Sequence, residues 1–194
     1  ESCIYQDVTC ADFIGGTGLL IDGLSGNAQY HVCRNFSAGN CANGLKTQGL
    51  GPNGLRMFGG YFSGNTTTPA AGSIAVNITT GDTSRIFGTL VQGYETAYYL
   101  SATAVGHEMY GWRSEFCNLH VRIGSTVHRF KMVGGLMDNS ILGNPGSGSV
   151  GIQIDSGAQN VQLDPCDIVS MGTAIVNNAG SQVTYPTYST TAPF

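Results

Sequence analysis

Arg56-Met57-Phe58-Gly59, Arg85-Ile86-Phe87-Gly88, Glu108-Met109-Tyr110-Gly111 and Arg129-Phe130-Lys131-Met132 are four versions of one short string. Working outward, the pattern reaches Cys3-Ile4-Tyr5-Gln6 and His31-Val32-Cys33-Arg34 on one side. On the other it reaches Asn160-Val161-Gln162-Leu163 and Gln182-Val183-Thr184-Tyr185. Successive strings start 21 to 31 residues apart. A period of roughly 20 to 50 residues marks an array in which no unit buries its own apolar face, so neighbours must stack. Within each string an apolar residue sits between polar or exposed-type ones, the period of two of a half-buried strand.

A second column precedes these strings: Leu19-Leu20-Ile21-Asp22, Leu45-Lys46-Thr47, Ile74-Ala75-Val76-Asn77, Tyr98-Tyr99-Leu100-Ser101, Val121-Arg122-Ile123-Gly124, Ile152-Gln153-Ile154-Asp155 and Ile175-Val176-Asn177. A third, looser column follows them, at Tyr61-Phe62-Ser63, Leu90-Val91-Gln92, Leu136-Met137-Asp138 and Ile168-Val169-Ser170. Three short strands per turn, broken by Gly and Asn, describe one rung of a parallel β-helix. The 29 glycines supply the left-handed backbone that tight bends need. No stretch sustains a 3.6-residue apolar period, so helix is expected to be nearly absent. We expect an all-β solenoid of about eight rungs over residues 1–185, then an extended tail over 186–194, with loops bulging near Thr66–Gly72 and Leu142–Ser149. The spacings are too short and uneven for a β-propeller, and the Leu-rich frame of leucine-rich repeats is missing.

Charged residues make up only 10% of the 194, so the surface must be built largely from Ser, Thr, Asn, Gln and Gly. Such a surface suits neutral sugars or copies of the same chain. A net charge of −4, with eight scattered Lys and Arg, argues against nucleic acid, which calls for a basic stripe. No apolar run approaches a membrane span, so no membrane insertion is expected. The absence of an initiator Met at Glu1 is expected for a processed chain or one cut from something longer. The cysteines at 3, 10, 33, 41, 117 and 166 form no metal-ligand spacing and read as buried free thiols, with Cys10–Cys41 or Cys3–Cys33 as alternative disulfides. His31, His120 and His128 are too dispersed for a metal triad, and no cofactor motif is present.

Stacked rungs place equivalent residues about 4.8 Å apart. With Ile86, Met109, Phe130 and Val161 inward, one outer ladder is Arg56, Arg85, Glu108, Arg129, Asn160 and the next is Phe58, Phe87, Tyr110, Lys131, Gln162. Glu108 reads either as one member of an ion-pair ladder or as a carboxylate in a basic groove. The aromatic ladder reads either as plain stacking or as a platform for sugar rings. The densest polar and aromatic segment is His107–Glu115, which contains the only Trp, Trp112. Glycoside hydrolysis uses two carboxylates roughly 5 to 9.5 Å apart, which makes Glu108 and Glu115 the catalytic candidates. Asp82, Asp138 and Asp167 are alternative partners on neighbouring rungs. Arg85, Phe87, Tyr110, Trp112, Arg113 and Arg129 are the glycan-binding candidates.

In its rung grammar the chain resembles the right-handed parallel β-helix proteins of the pectate-lyase-like superfamily. Residues Val150-Gly151-Ile152-Gln153-Ile154-Asp155-Ser156-Gly157-Ala158-Gln159-Asn160-Val161-Gln162-Leu163 look most like bacteriophage tailspikes. The resemblance implies a right-handed homotrimer on a virion surface or outside the cell, binding a bacterial surface polysaccharide and often depolymerising it. The calcium-binding Asp clusters of pectate lyases are missing, and no catalytic residue carries over by motif. The alternative is a structural β-helix without enzymatic activity, serving as a fibre, head-decoration or adhesin module.

Overall fold

Three strands make one turn, and the turn repeats. The computed structural model describes residues 2–23, 28–49, 52–101, 106–140 and 148–184. The first rungs are β1 (Ser2–Gln6), β2 (Thr9–Ala11) and β3 (Thr17–Gly23); then β4 (Ala28–Arg34), β5 (Ser37–Gly39) and β6 (Asn43–Gly49); then β7 (Pro52–Phe58), β8 (Tyr61–Ser63) and β9 (Ala70–Ile78). Next come β10 (Thr83–Phe87), β11 (Leu90–Gln92) and β12 (Tyr94–Leu100), followed by β13 (Gly106–Tyr110), β14 (Arg113–Glu115) and β15 (Leu119–Ile123). The last are β16 (Phe130–Val133), β17 (Leu136–Asp138) and β18 (Val150–Ile154), β19 (Val161–Leu163), β20 (Asp167–Val169) and β21 (Thr173–Asn177), with β22 (Val183–Thr184) opening an eighth rung. The strands form three parallel sheets of eight, seven and seven members. The fold is therefore an all-β parallel solenoid of seven complete turns, where about eight were expected. The single helical turn among the described residues is Gly180–Gln182.

The alternation in each strand builds the core. In the first sheet Cys33, Met57, Ile86, Met109, Met132 and Leu163 lie in register and are all buried. In the third sheet Leu45, Val76, Tyr98, Val121 and Ile152 do the same. Fully burying such a side chain contributes about 1.5–3 kcal/mol, which the stack collects once per strand.

Between the first and second sheets, the corner residue of each rung is left-handed. Asp7, Asn35, Gly59, Gly88, Gly111 and Gly134 occupy it with φ between +48° and +67°. The amide at that corner donates to the next rung: Asn35 to Phe58 at 3.0 Å, Gly59 to Phe87 at 2.8 Å and Gly88 to Tyr110 at 3.1 Å. Hydrogen bonding between rungs thus continues around the bend, and Gly, Asn and Asp are the residues that adopt the required backbone at least cost.

This register corrects the expected alignment at two strings. Met132, rather than Phe130, follows Met109, so Lys131 follows Glu108 and Val133 follows Tyr110. Both Phe130 and Met132 are buried, so a slip of two residues leaves the inward pattern intact. At the second string the slip is one residue: Val32 pairs with Arg56 and Cys33 with Met57. Cys33 is therefore the inward residue, while Ile4, in register with Val32, faces out at 67% exposure. In the second column Val76, rather than Ile74, aligns with Leu45 and Tyr98. The expected tail at 186–194 and most of the Leu142–Ser149 loop lie outside the described residues. All six cysteines carry free thiols; Cys33, Cys41 and Cys117 are buried, whereas Cys3 is exposed.

Candidate functional site

The outer face of the first sheet is the richest in chemistry, because β4, β7, β10, β13 and β16 each turn alternate side chains to solvent. One outer ladder there is Val32, Arg56, Arg85, Glu108 and Lys131. Arg85 Nε meets Glu108 Oε2 at 2.9 Å, and the Tyr110 hydroxyl donates to the same carboxylate oxygen at 3.2 Å. Burial first, and the Glu108 charge second, hold the Tyr110 phenol above its ordinary pKa, so it remains a donor. Lys131 pairs more loosely with Asp164 at 3.9 Å. Glu108 is thus a partly exposed carboxylate fixed by two neighbours. Arg129 does not belong to this ladder, since it precedes β16 by one residue and sits beside Asn160.

The adjoining ladder is Arg34, Phe58, Phe87, Tyr110 and Val133. Phe58 stacks on Phe87 at 5.1 Å and 5°, and Phe87 on Tyr110 at 5.1 Å and 8°. The Arg34 guanidinium covers the far side of Phe58 at 5.9 Å. Phe87 therefore has a ring against each face, and the ladder offers solvent its edges. A sugar stacks on an aromatic face, so Phe87 cannot serve as the expected platform.

Trp112 and Glu115 require corrections of a different kind. Trp112 is 1% exposed and packs edge-on against Tyr98 inside the coil, with Gly135 pressed against its indole. It is a core residue and presents nothing to a glycan. Glu115 lies on β14, in the second sheet, around the corner from Glu108. It is buried, ion-paired with Arg113, and accepts a hydrogen bond from the Gln92 amide. Asp138 follows it in register and is also buried, taken up by the Ser140 amide at 2.7 Å and hydroxyl at 2.5 Å. Glu108 and Glu115 thus lie on different sheets, each ion-paired with an arginine. Asp82 precedes β10, and Asp167 opens β20 in a different outer ladder from Glu115.

Depressions among the described residues include two on different faces of the coil. One, of about 210 Å³, lies on the first sheet and is lined by Tyr30, His31, Val32 and Arg56. The other, of about 290 Å³, sits at the corner between the second and third sheets and is mostly apolar, with Ile14, Cys41, Ala42, Ala70 and Tyr94 among its lining residues. Sequence reasoning missed the first. Its signal is Gly54, which follows Tyr30 in the outward column that continues through Thr83 and Gly106.

Inside the coil, two histidines bond to serines: His107 Nδ1 to Ser84 Oγ at 2.6 Å and His120 Nδ1 to Ser114 Oγ at 2.7 Å. Burial pulls the His120 pKa down to about 3, so it stays neutral. Both pairs face the core, which places them out of reach of any solution substrate. Among the described residues no cluster of three or more His, Cys, Asp or Glu could hold a metal ion, and no helix is long and apolar enough to cross a membrane. The chain matches no protein-family model, no curated protein and no solved structure.

Proposed function

We propose that this chain is the β-solenoid of a tailspike-like receptor-binding protein, carried on a virion or otherwise extracellular, which recognises a bacterial surface polysaccharide without cleaving it. The observation that carries the reading is the division of labour among its charged groups. Both candidate carboxylates are neutralised and set on different sheets, whereas cleavage needs two of them facing one saccharide across roughly 5 to 9.5 Å. The first sheet's outer face instead offers guanidinium, phenol and amide donors at about 4.8 Å intervals, a spacing suited to a chain of hydroxyls laid along the coil. Recognition then rests mainly on hydrogen bonds and ring edges, because Phe87, at the centre of the aromatic ladder, has no free face.

A homotrimer belongs to the same proposal. Tyr61, Leu90 and Leu136 lie outward on the second sheet, with Tyr61 at 41% exposure. A solenoid packing such a face against copies of itself would leave the first sheet outside. Sedimentation at micromolar concentration tests this, and a monomeric mass would refute it.

The functional test is binding to an array of capsular and O-antigen polysaccharides, paired with a reducing-end assay on every polymer bound. Binding without release is expected, and Glu108→Gln with Glu115→Gln should leave it intact. Steady release of reducing ends would overturn the non-catalytic reading; silence across the array would favour a second one. That second reading, a rigid spacer, is supported by the self-stacked aromatic ladder, which is satisfied without any ligand.

A further inference from the structure

The depression on the first sheet has a specific cause. Tyr30 pairs in register with Gly54, and Val32 with Arg56. A Cβ at Gly54 would meet the Tyr30 ring at 2.7 Å, so the ring lies across a rung position that has no side chain. Beside it is a hollow of about 210 Å³ lined by Tyr30, His31, Val32 and Arg56. That is room for a single ring, below the usual range of drug-sized pockets. Tyr30 keeps 54% of its surface exposed, and unlike Phe87 it makes no ring stack among the described residues.

Arg56, with Lys46 and Arg129, stands apart from the ion-paired cations. Arg85, Arg113, Arg122 and Lys131 each have a carboxylate partner, and Arg34 lies over Phe58. Arg56 is exposed and has no ion pair among the described residues, although Arg85 is its in-register neighbour. Glu108 is taken by Arg85, so the Arg56 guanidinium keeps its charge unpaired beside the hollow. His31 adds no charge: desolvation first, then the nearby chain terminus, lowers its pKa below the usual value. A guanidinium beside an open aromatic plate matches a ligand with a flat apolar face and a carboxylate at its rim, because the fork of Arg grips a carboxylate through two bonds.

We propose that the Tyr30–Val32–Arg56 hollow is a subsite for one acidic sugar residue of the glycan, its ring over Tyr30 and its carboxylate on Arg56. This rests on the polysaccharide reading above and adds to it the class of sugar and the residues that select it. Neutral residues on either side would lie along the ladder toward Arg85 and Tyr110.

The probes are uronic-acid-containing polysaccharides from the array, the same polymers after carbodiimide reduction of their carboxyl groups, and neutral polysaccharides. Affinity is measured by calorimetry on the full chain, with thermal melting to verify that each variant is folded. Binding to an acidic polymer should weaken about tenfold or more on carboxyl reduction and by a similar factor in Arg56→Ala, as expected for losing a charge-assisted hydrogen-bonded pair. Arg56→Lys should recover only part of that, and Tyr30→Ala should weaken the acidic and reduced polymers alike. Equal affinity for reduced and unreduced polymers, or binding indifferent to Arg56→Ala, would overturn the subsite while the polysaccharide reading stood. Failure to bind any polysaccharide would overturn both.

Discussion

Gly88 and Gly64 both sit at corners of the coil, yet they are glycine for different reasons, and substituting each with alanine separates the two. Gly88 has φ of +61°, and a Cβ there would find nothing within 4 Å. Alanine at this position pays only for the left-handed backbone, about 1–2 kcal/mol, less the 0.4–1 kcal/mol gained from a stiffer unfolded chain. The net loss is about 0.5–1 kcal/mol. Gly64 has ordinary φ, but a Cβ there would be driven into the Gly93 carbonyl, 2.8 Å from its carbon and 3.3 Å from the Tyr94 ring. The obstacle is main chain of the next rung, bonded through the Gly64 amide to the Gln92 carbonyl at 2.8 Å, so it cannot rotate aside. Overpacking against such a neighbour costs about 3 kcal/mol, at the upper end of its usual range. Thermal midpoints should fall about 1–4 °C for Gly88→Ala and about 6–12 °C for Gly64→Ala in a chain of this size. Gly88→Asn should cost less than Gly88→Ala, because Asn35 already holds φ of +48° in the same column. Urea titration of the three variants reads the differences directly. Equal losses for the two alanines, or Asn worse than Ala at 88, would refute this account of the corners.

Thiol reactivity should follow burial: a disulfide reagent should label Cys3 in the native protein and reach Cys33 and Cys117 only on unfolding, because burial pushes both of those thiols up to about 12. His120 makes the fold acid-sensitive. The unfolded chain takes up its proton below about pH 6.5 and the folded one only near 3, so stability from this group is complete above 6.5 and falls across that window, by up to about 1.4 kcal/mol per pH unit. Chemical denaturation between pH 7 and 4 should show a flatter profile for His120→Gln, and an unchanged slope would exclude His120 as the source. Glu108→Gln should cost about 0–1 kcal/mol, as for a surface pair, and Glu115→Gln about 1–3 kcal/mol, because it removes the buried charge and leaves one acceptor oxygen for two donors, Arg113 and Gln92. A larger loss at 108 than at 115, by urea titration, would contradict their placement.

The solenoid was legible because it repeats: eight strings, each with an apolar residue between polar ones, left little but stacked parallel strands. Phase was harder to read. Phe130 and Met132 both face inward, so hydrophobic pattern could not choose between them, whereas the corner column running Gly59, Gly88, Gly111 and Gly134 would have done so. The same column, taken back through Asn35 to Asp7, fixes the slip at Val32. The strands β2, β5 and β14 escaped notice because their central residues, Cys10, Ala38 and Ser114, are small or polar, whereas Phe62, Val91, Met137 and Ile168 mark the equally short strands of the same sheet. At the site, Glu108 beside Arg85 followed from the ladder. The burial of Trp112 and Glu115 did not, since a strand pattern cannot tell how a bend directs the residues that follow it.

The corner amides also have a mechanical consequence. Because each donates into the next rung, a turn has no loose joint at its first bend, and a pull on the C-terminal end should strip the coil turn by turn. Each turn lost releases its own length of chain: 23 residues between Met109 and Met132, or about 80 Å, and 31 residues between Met132 and Leu163, or about 105 Å. A force trace on the single molecule would therefore be an uneven staircase, with step lengths that record the loop carried by each turn.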